Sequence, residues 1–162
     1  MSDMFDIGGG THMPFDEKFT WVSLVVSAVV SGVYFTIVLS QARSSQVGQI
    51  AYQVPMLAAI AAMVVLTIAG TILMGVGTGI GIELSGKGTS EDIGRTDERD
   101  REISRRGILA GYVVASVGAV GVLAITMLKV DHFWIANALY LSFVASSLVS
   151  GITKLVAYRR GF

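Results

Sequence analysis

Four stretches of this chain contain no Asp, Glu, Lys, Arg or His: Phe19–Leu39, Ala51–Ile82, Gly107–Leu128 and Phe133–Thr153. Crossing the hydrocarbon of a bilayer takes ~20 apolar residues in a helix. Three of the runs are 21 or 22 residues long, and the second is 32, so part of it lies beyond the hydrocarbon. The chain is 52% hydrophobic and only 15% charged, with a mean hydropathy of +0.66. The expected fold is all-α: one membrane domain over residues 1–162, an integral membrane bundle of four transmembrane helices. The spans are placed at about 19–39, 51–75, 107–128 and 133–153, with a connection at about 83–106.

The distribution of positive charge predicts the orientation. Ten of the twelve Lys and Arg residues fall on the N-terminus, the central connection and the tail. With an even number of spans these three segments share one side. Short loops rich in Lys and Arg stay cytoplasmic, and acidic neighbours contribute little to that rule. Both termini are therefore expected in the cytoplasm. Trp21 and Tyr34 at the two ends of the first span, and Phe133, Trp134 and Tyr158 around the fourth, read as rings at headgroup level. The start of the chain is acidic before its first apolar run, unlike the basic start of a secretory signal.

Helices in lipid associate through close backbone approach and interhelical hydrogen bonds, so their contact faces favour small residues. Stripes at four-residue spacing mark such faces: Ser23, Ser27 and Ser31 on the first span; Gly107, Gly111, Ala115 and Ala119 on the third; Ala138, Ser142, Ser146 and Ser150 on the fourth. Val122 is read as lipid-facing. These surfaces suit a compact bundle or a homo-oligomer.

Little in the sequence carries chemistry. The absence of cysteine removes thiolate ligands, disulfides and thiol nucleophiles. Gly81–Gly88 fits the first part of a phosphate loop, but position 88 is glycine where a metal-binding Ser or Thr is required, and a membrane span precedes it instead of a strand. The alternating Gly75, Gly77, Gly79 and Gly81 are read as a fraying helix end, with an unwound, pore-lining segment as the rival. His12 and His132 lie outside the spans, and Asp131 with His132 makes only two ligands. Intramembrane ionisable groups are the usual mark of coupled transport, and the apolar runs hold none. Ser, Thr, Asn137 and Gln53 are expected to bond between helices. No enzyme, cofactor, metal or nucleic-acid role is expected. The expected partners are the lipid bilayer and either further copies or the subunits of a larger membrane complex.

Charge concentrates in one place. "TDERDREISRRG", residues 96–107, has eight charged side chains in twelve positions. Thr96 or Asp97 can cap a helix, and acids in its first turn suit the helix dipole. Opposite charges then fall at helical neighbour positions: Asp97–Arg101, Glu98–Arg101, Glu102–Arg105 and Glu102–Arg106. Glu98 and Glu102 on one face suit these pairs better than a divalent ion. The prediction is a helical extension of the third span. Its candidate docking residues are Asp97, Glu98, Arg99, Arg101, Glu102, Arg105 and Arg106. "DERDREI" followed by an apolar span resembles the Asp-Glu-Arg signature of the DUF2178-like family of small prokaryotic multi-pass membrane proteins, and "FDEKFTWVSLVVS" resembles the opening of such proteins. The resemblance implies a prokaryotic inner-membrane protein and assigns no role to Asp97, Glu98 and Arg99, the matching positions. The expected function is association, as an accessory subunit or regulatory partner, with a small oligomeric channel or transporter as the alternative.

Overall fold

The computed structural model describes residues 15–85 and 98–160, with side chains described at 17–76 and 98–160. It contains α1 (Phe15–Ser44), a 3-10 turn (Val47–Gln49), α2 (Gln53–Ser85), α3 (Glu98–Met127) and α4 (His132–Arg160), and no strand among the described residues. Each helix includes a segment long and apolar enough to cross a membrane. The protein is an all-α bundle of four such helices. His12, Thr96, Asp97, Lys87 and Gly88 lie outside the described residues.

The helices stand in the order α2–α1–α4–α3, as an open row. The α3–α4 contact is the most extensive, and α1 packs on both α4 and α2, whereas α2 and α3 scarcely meet. Burial agrees: 22% of the most apolar window is buried in α1 and in α4, against 6% in α2 and in α3. Exposed faces are as apolar as the contacts, as with Val25, Val29 and Val33 on α1 or Val113, Val117 and Val120 on α3. In lipid such faces carry no penalty, so packing is decided by fit and hydrogen bonding instead of greasiness.

Fit is visible along α1. Thr20, Leu24, Ser27, Ser31, Tyr34 and Val38 recur at alternating steps of four and three, the spacing of a coiled-coil seam. All but the half-buried Leu24 are buried. On α4 the facing series includes Phe133, Asn137, Tyr140, Val144, Gly151 and Leu155. Leu24 rests on Gly151, where an added Cβ would lie 3.0 Å from Leu24 Cδ1. Tyr34 and Phe133 are interior residues, 3% and 1% exposed, not headgroup-level rings. The phenol of Tyr34 has a partner on α4, and that bond holds it inside. Trp134 remains partly exposed.

The end of the bundle away from most of the charge holds the core, with Tyr34, Val38, Ile50, Ala59, Phe133, Tyr140 and Val144 in one cluster. Tyr52 and Phe133 meet edge-on at 5.5 Å, which ties the α1–α2 connection to the start of α4. Pro55 lies in the first turn of α2, where its missing N–H costs nothing. Between α3 and α4, Lys129 adopts a left-handed conformation (φ 53°) that ends α3. Asp131 then caps α4: its Oδ1 accepts the N–H of Phe133 at 2.9 Å.

Helix α2 stays wound through Gly75, Gly77, Gly79 and Gly81 to Ser85. The helix thus continues past the expected end of the membrane span near residue 75, and neither a frayed end nor an unwound segment is present there. Glycine weakens helices in water by ~1 kcal/mol relative to alanine. The helix forms despite that cost.

Candidate functional site

The charged stretch belongs to α3 without a break. At 1.5 Å per residue its 30 residues span about 45 Å, against ~30 Å of hydrocarbon, leaving more than two turns outside. One residue fixes how that extension is held. Ile103 is 2% exposed and lines a groove together with Ala157, itself buried on the last turns of α4. A shallow groove lined by Arg99, Glu102, Ile103, Arg106 and Ala157 runs along this contact. Glu98, Arg99, Arg101, Glu102, Arg105 and Arg106 are all exposed around it. Glu102 Oε1 accepts the Nε–H of Arg106 at 2.9 Å, a single-turn ion pair with both side chains about half exposed. Such a pair contributes only ~0.2–0.5 kcal/mol. Ile103 is thus the buried apolar side chain of the extension, while six of its charged side chains are exposed and Asp100 is half-buried. Among the described residues no group of three or more His, Asp or Glu side chains could hold a metal ion.

The α3–α4 face places the small residues at the closest helix approach. Gly107 and Gly111 are buried, and Ala115 is half-buried. A Cβ on Gly111 would come within 3.0 Å of Ser146 O and of Ser150 Cβ. The hydroxyl of Ser146 donates to Gly111 O at 2.7 Å, one helix binding the other's backbone. Ser142 donates instead to Ala138 O within α4, at 2.8 Å. Ala119 is exposed and lies off this face; Gly118, backed against Ser142, takes its place. Periodicity explains the exchange. Each step of four residues overshoots a full turn by about 40°, so three steps rotate Ala119 about 120° away from Gly107, whereas eleven residues return to within about 20°. Val122 lies eleven residues after Gly111 and is half-buried, so it is not a lipid-facing position.

On α1 the serine stripe is interior. Ser27 and Ser31 are buried, and Ser23 is half-buried with its hydroxyl shielded. These three hydroxyls and the phenol of Tyr140 make no hydrogen bond among the described residues. Serine and threonine in a helix commonly bond back to a carbonyl one turn earlier, as Thr36, Thr71 and Thr153 do here. Beside the stripe, Tyr34 donates to Asn137 Oδ1 at 2.9 Å, and Asn137 Nδ2 donates to Phe133 O at 2.8 Å. Asn137 thus bonds between helices as its type and place suggested. Spacing marked the serine stripe, but not the continuation of this seam through Tyr34 to Asn137; the alternating four-and-three pattern was its signal.

Comparison with models of known families, with curated proteins and with solved structures finds no match. The fold defines the class: a multi-pass helical membrane protein with four spans.

Proposed function

We propose that this protein is a non-enzymatic component of a membrane complex, an accessory subunit or regulatory partner, docking through the charged extension of α3. The observation that carries this reading is the anchorage of Ile103 against the end of α4. A solvated topogenic loop has no need of it. Anchorage makes six exposed charged side chains a pre-ordered surface, and pre-order lowers the entropic cost of binding. The distribution of Lys and Arg supports an inside orientation for this surface and both termini. The resemblance of "DERDREI" supports a prokaryotic inner membrane as its location.

The test is co-purification of full-length protein from its own membranes. Exchanging Glu98 and Glu102 for Gln keeps helix propensity and every Arg, so insertion is expected to be unchanged while a stoichiometric partner is lost. Normal association and normal function in that double variant would leave the extension as a membrane anchor alone.

A second reading rests on the unbonded hydroxyls of Ser23, Ser27, Ser31 and Tyr140. Such groups inside a membrane protein favour a polar path, that of a small oligomeric channel or transporter. Solute or ion flux through proteoliposomes that falls with Ser27→Ala and Ser31→Ala favours this reading over docking.

A further inference from the structure

At the charged end of the bundle three helices close around a cavity of about 150 Å³. Phe19 and Thr20 come from α1, Ser104 from α3, and Lys154 and Tyr158 from α4. Lys154 is half-buried. Its aliphatic stem lies on Gly107, where an added Cβ would come within 2.5 Å of Lys154 Cγ. That contact fixes the stem between α3 and α4, at the border of the pocket. Among the described residues no carboxylate forms an ion pair with Lys154. Thr20, Ser104 and Tyr158 also line the cavity, Thr20 and Tyr158 being engaged in interactions of their own. One turn further along α4, the Arg159 guanidinium stands 5.9 Å from the Trp21 ring centroid, joining α4 to α1 at the same level.

We propose that this pocket binds a phosphate-bearing anion, of the kind an anionic lipid headgroup presents. A half-buried ammonium lacking a counter-ion attracts an anion. The hydroxyl of Ser104 in the same lining suits an acceptor oxygen of a tetrahedral group. The volume is below the ~300–1,000 Å³ of pockets that enclose drug-sized ligands. It therefore suits a headgroup fragment with the remainder of the molecule outside. Phe19, 36% exposed, provides an apolar lip beside the polar floor. That pairing of surfaces matches the boundary between headgroup and acyl chain. Basic pockets between spanning helices are a recurrent way of holding anionic headgroups. The proposal rests on the membrane reading of the fold and is independent of any docking by the α3 extension.

The test uses the full chain in nanodiscs of neutral phosphatidylcholine, to which phosphatidylglycerol or inorganic phosphate is added. Thermal stability and retained lipid, read by native mass spectrometry, are the readouts. Phosphatidylglycerol is expected to raise the melting temperature and to be retained. Lys154→Met preserves the stem over Gly107 and removes the charge, and should weaken retention about fivefold, as expected from ~1 kcal/mol per basic residue at the surface. Lys154→Arg should restore it, and Arg43→Gln, on an exposed side chain at the far end of α1, should leave it within twofold. A lipid source also predicts that Phe19→Ala weakens phosphatidylglycerol retention and leaves any phosphate effect unaltered. Stabilisation by inorganic phosphate alone, lost in Lys154→Met, would support the same chemistry from a soluble source. Equal retention by the wild type and a folded Lys154→Met, with no response to phosphate, overturns the proposal. So does a loss in Arg43→Gln as large as that in Lys154→Met.

Discussion

Ser146 donates its hydroxyl to the carbonyl oxygen of Gly111 at 2.7 Å, and the glycine's missing side chain is what allows that approach. Gly111→Ala places a methyl 3.0 Å from Ser146 O, and the two helices must separate. Overpacking of this kind costs about 1–3 kcal/mol. Gly121 on the same helix has nothing within 4 Å of an added Cβ. Gly121→Ala is therefore expected to be neutral or slightly stabilising. Unfolding in mixed micelles, with both variants compared with wild type, checks the pair; equal behaviour would dissociate the glycine spacing from helix contact.

The Tyr34–Asn137 bond joins α1 to α4 across 103 residues of sequence. Interhelical hydrogen bonds in lipid average ~0.6 kcal/mol, with a maximum near 1.7. Tyr34→Phe and Asn137→Leu are each expected to destabilise, and the double variant by less than the sum. A double-mutant cycle on thermal unfolding measures the coupling; strictly additive losses would show that the two groups act separately.

Asp131 is the N-cap of α4 and Lys129 the left-handed residue ending α3. Asp131→Ala should cost about 1 kcal/mol, and Asp131→Asn much less, because Asn caps equally well. Lys129→Gly relieves the left-handed strain and should be tolerated or stabilising. Melting temperatures of the three variants in detergent give the order. A destabilising Lys129→Gly would contradict it.

Orientation can be read directly. With both termini inside, a C-terminal reporter that works only outside the cytoplasm is silent, and the same reporter inserted at Ser44–Ser45 is active. Removing Arg105 and Arg106 together is expected to raise the fraction of inverted molecules, since short-loop Lys and Arg set the topology. The opposite reporter pattern would reverse the assignment of sides.

The spans were legible because exclusion of charge is a property of a local stretch, and bilayer thickness converts it directly into helices. The extension through Arg105 and Arg106 was legible for a similar local reason: acids first, bases last, no proline between. Tyr34 was not. An aromatic near a span end reads as a headgroup ring until its partner, on another helix, is known. Ala119 failed for a different reason, since a repeat of four drifts around a helix of 3.6 residues per turn and Gly118 inherits the face. Lys154 escaped notice because the tail charge near residue 160 accounts for it in topology, while its pocket is assembled from three helices. The continuation of α2 past Gly75 was not legible because alternating glycines make a poor helix by propensity alone.

The row order has a consequence for biogenesis. Contacts run within the α1–α2 pair and within the α3–α4 pair, and the seam of α1 against α4, with the α1–α2 connection resting on the start of α4, joins the two. Each pair is a hairpin of sequence neighbours that can insert and close as soon as it leaves the translocon. The halves then meet by lateral diffusion, the second of two stages of membrane assembly. Synthesised as separate polypeptides ending at Ser85 and starting before Glu98, they retain every residue of that seam, and co-expression should return a paired complex. Two chains could equally exchange halves across it, making hairpin trading between copies a direct product of the same architecture.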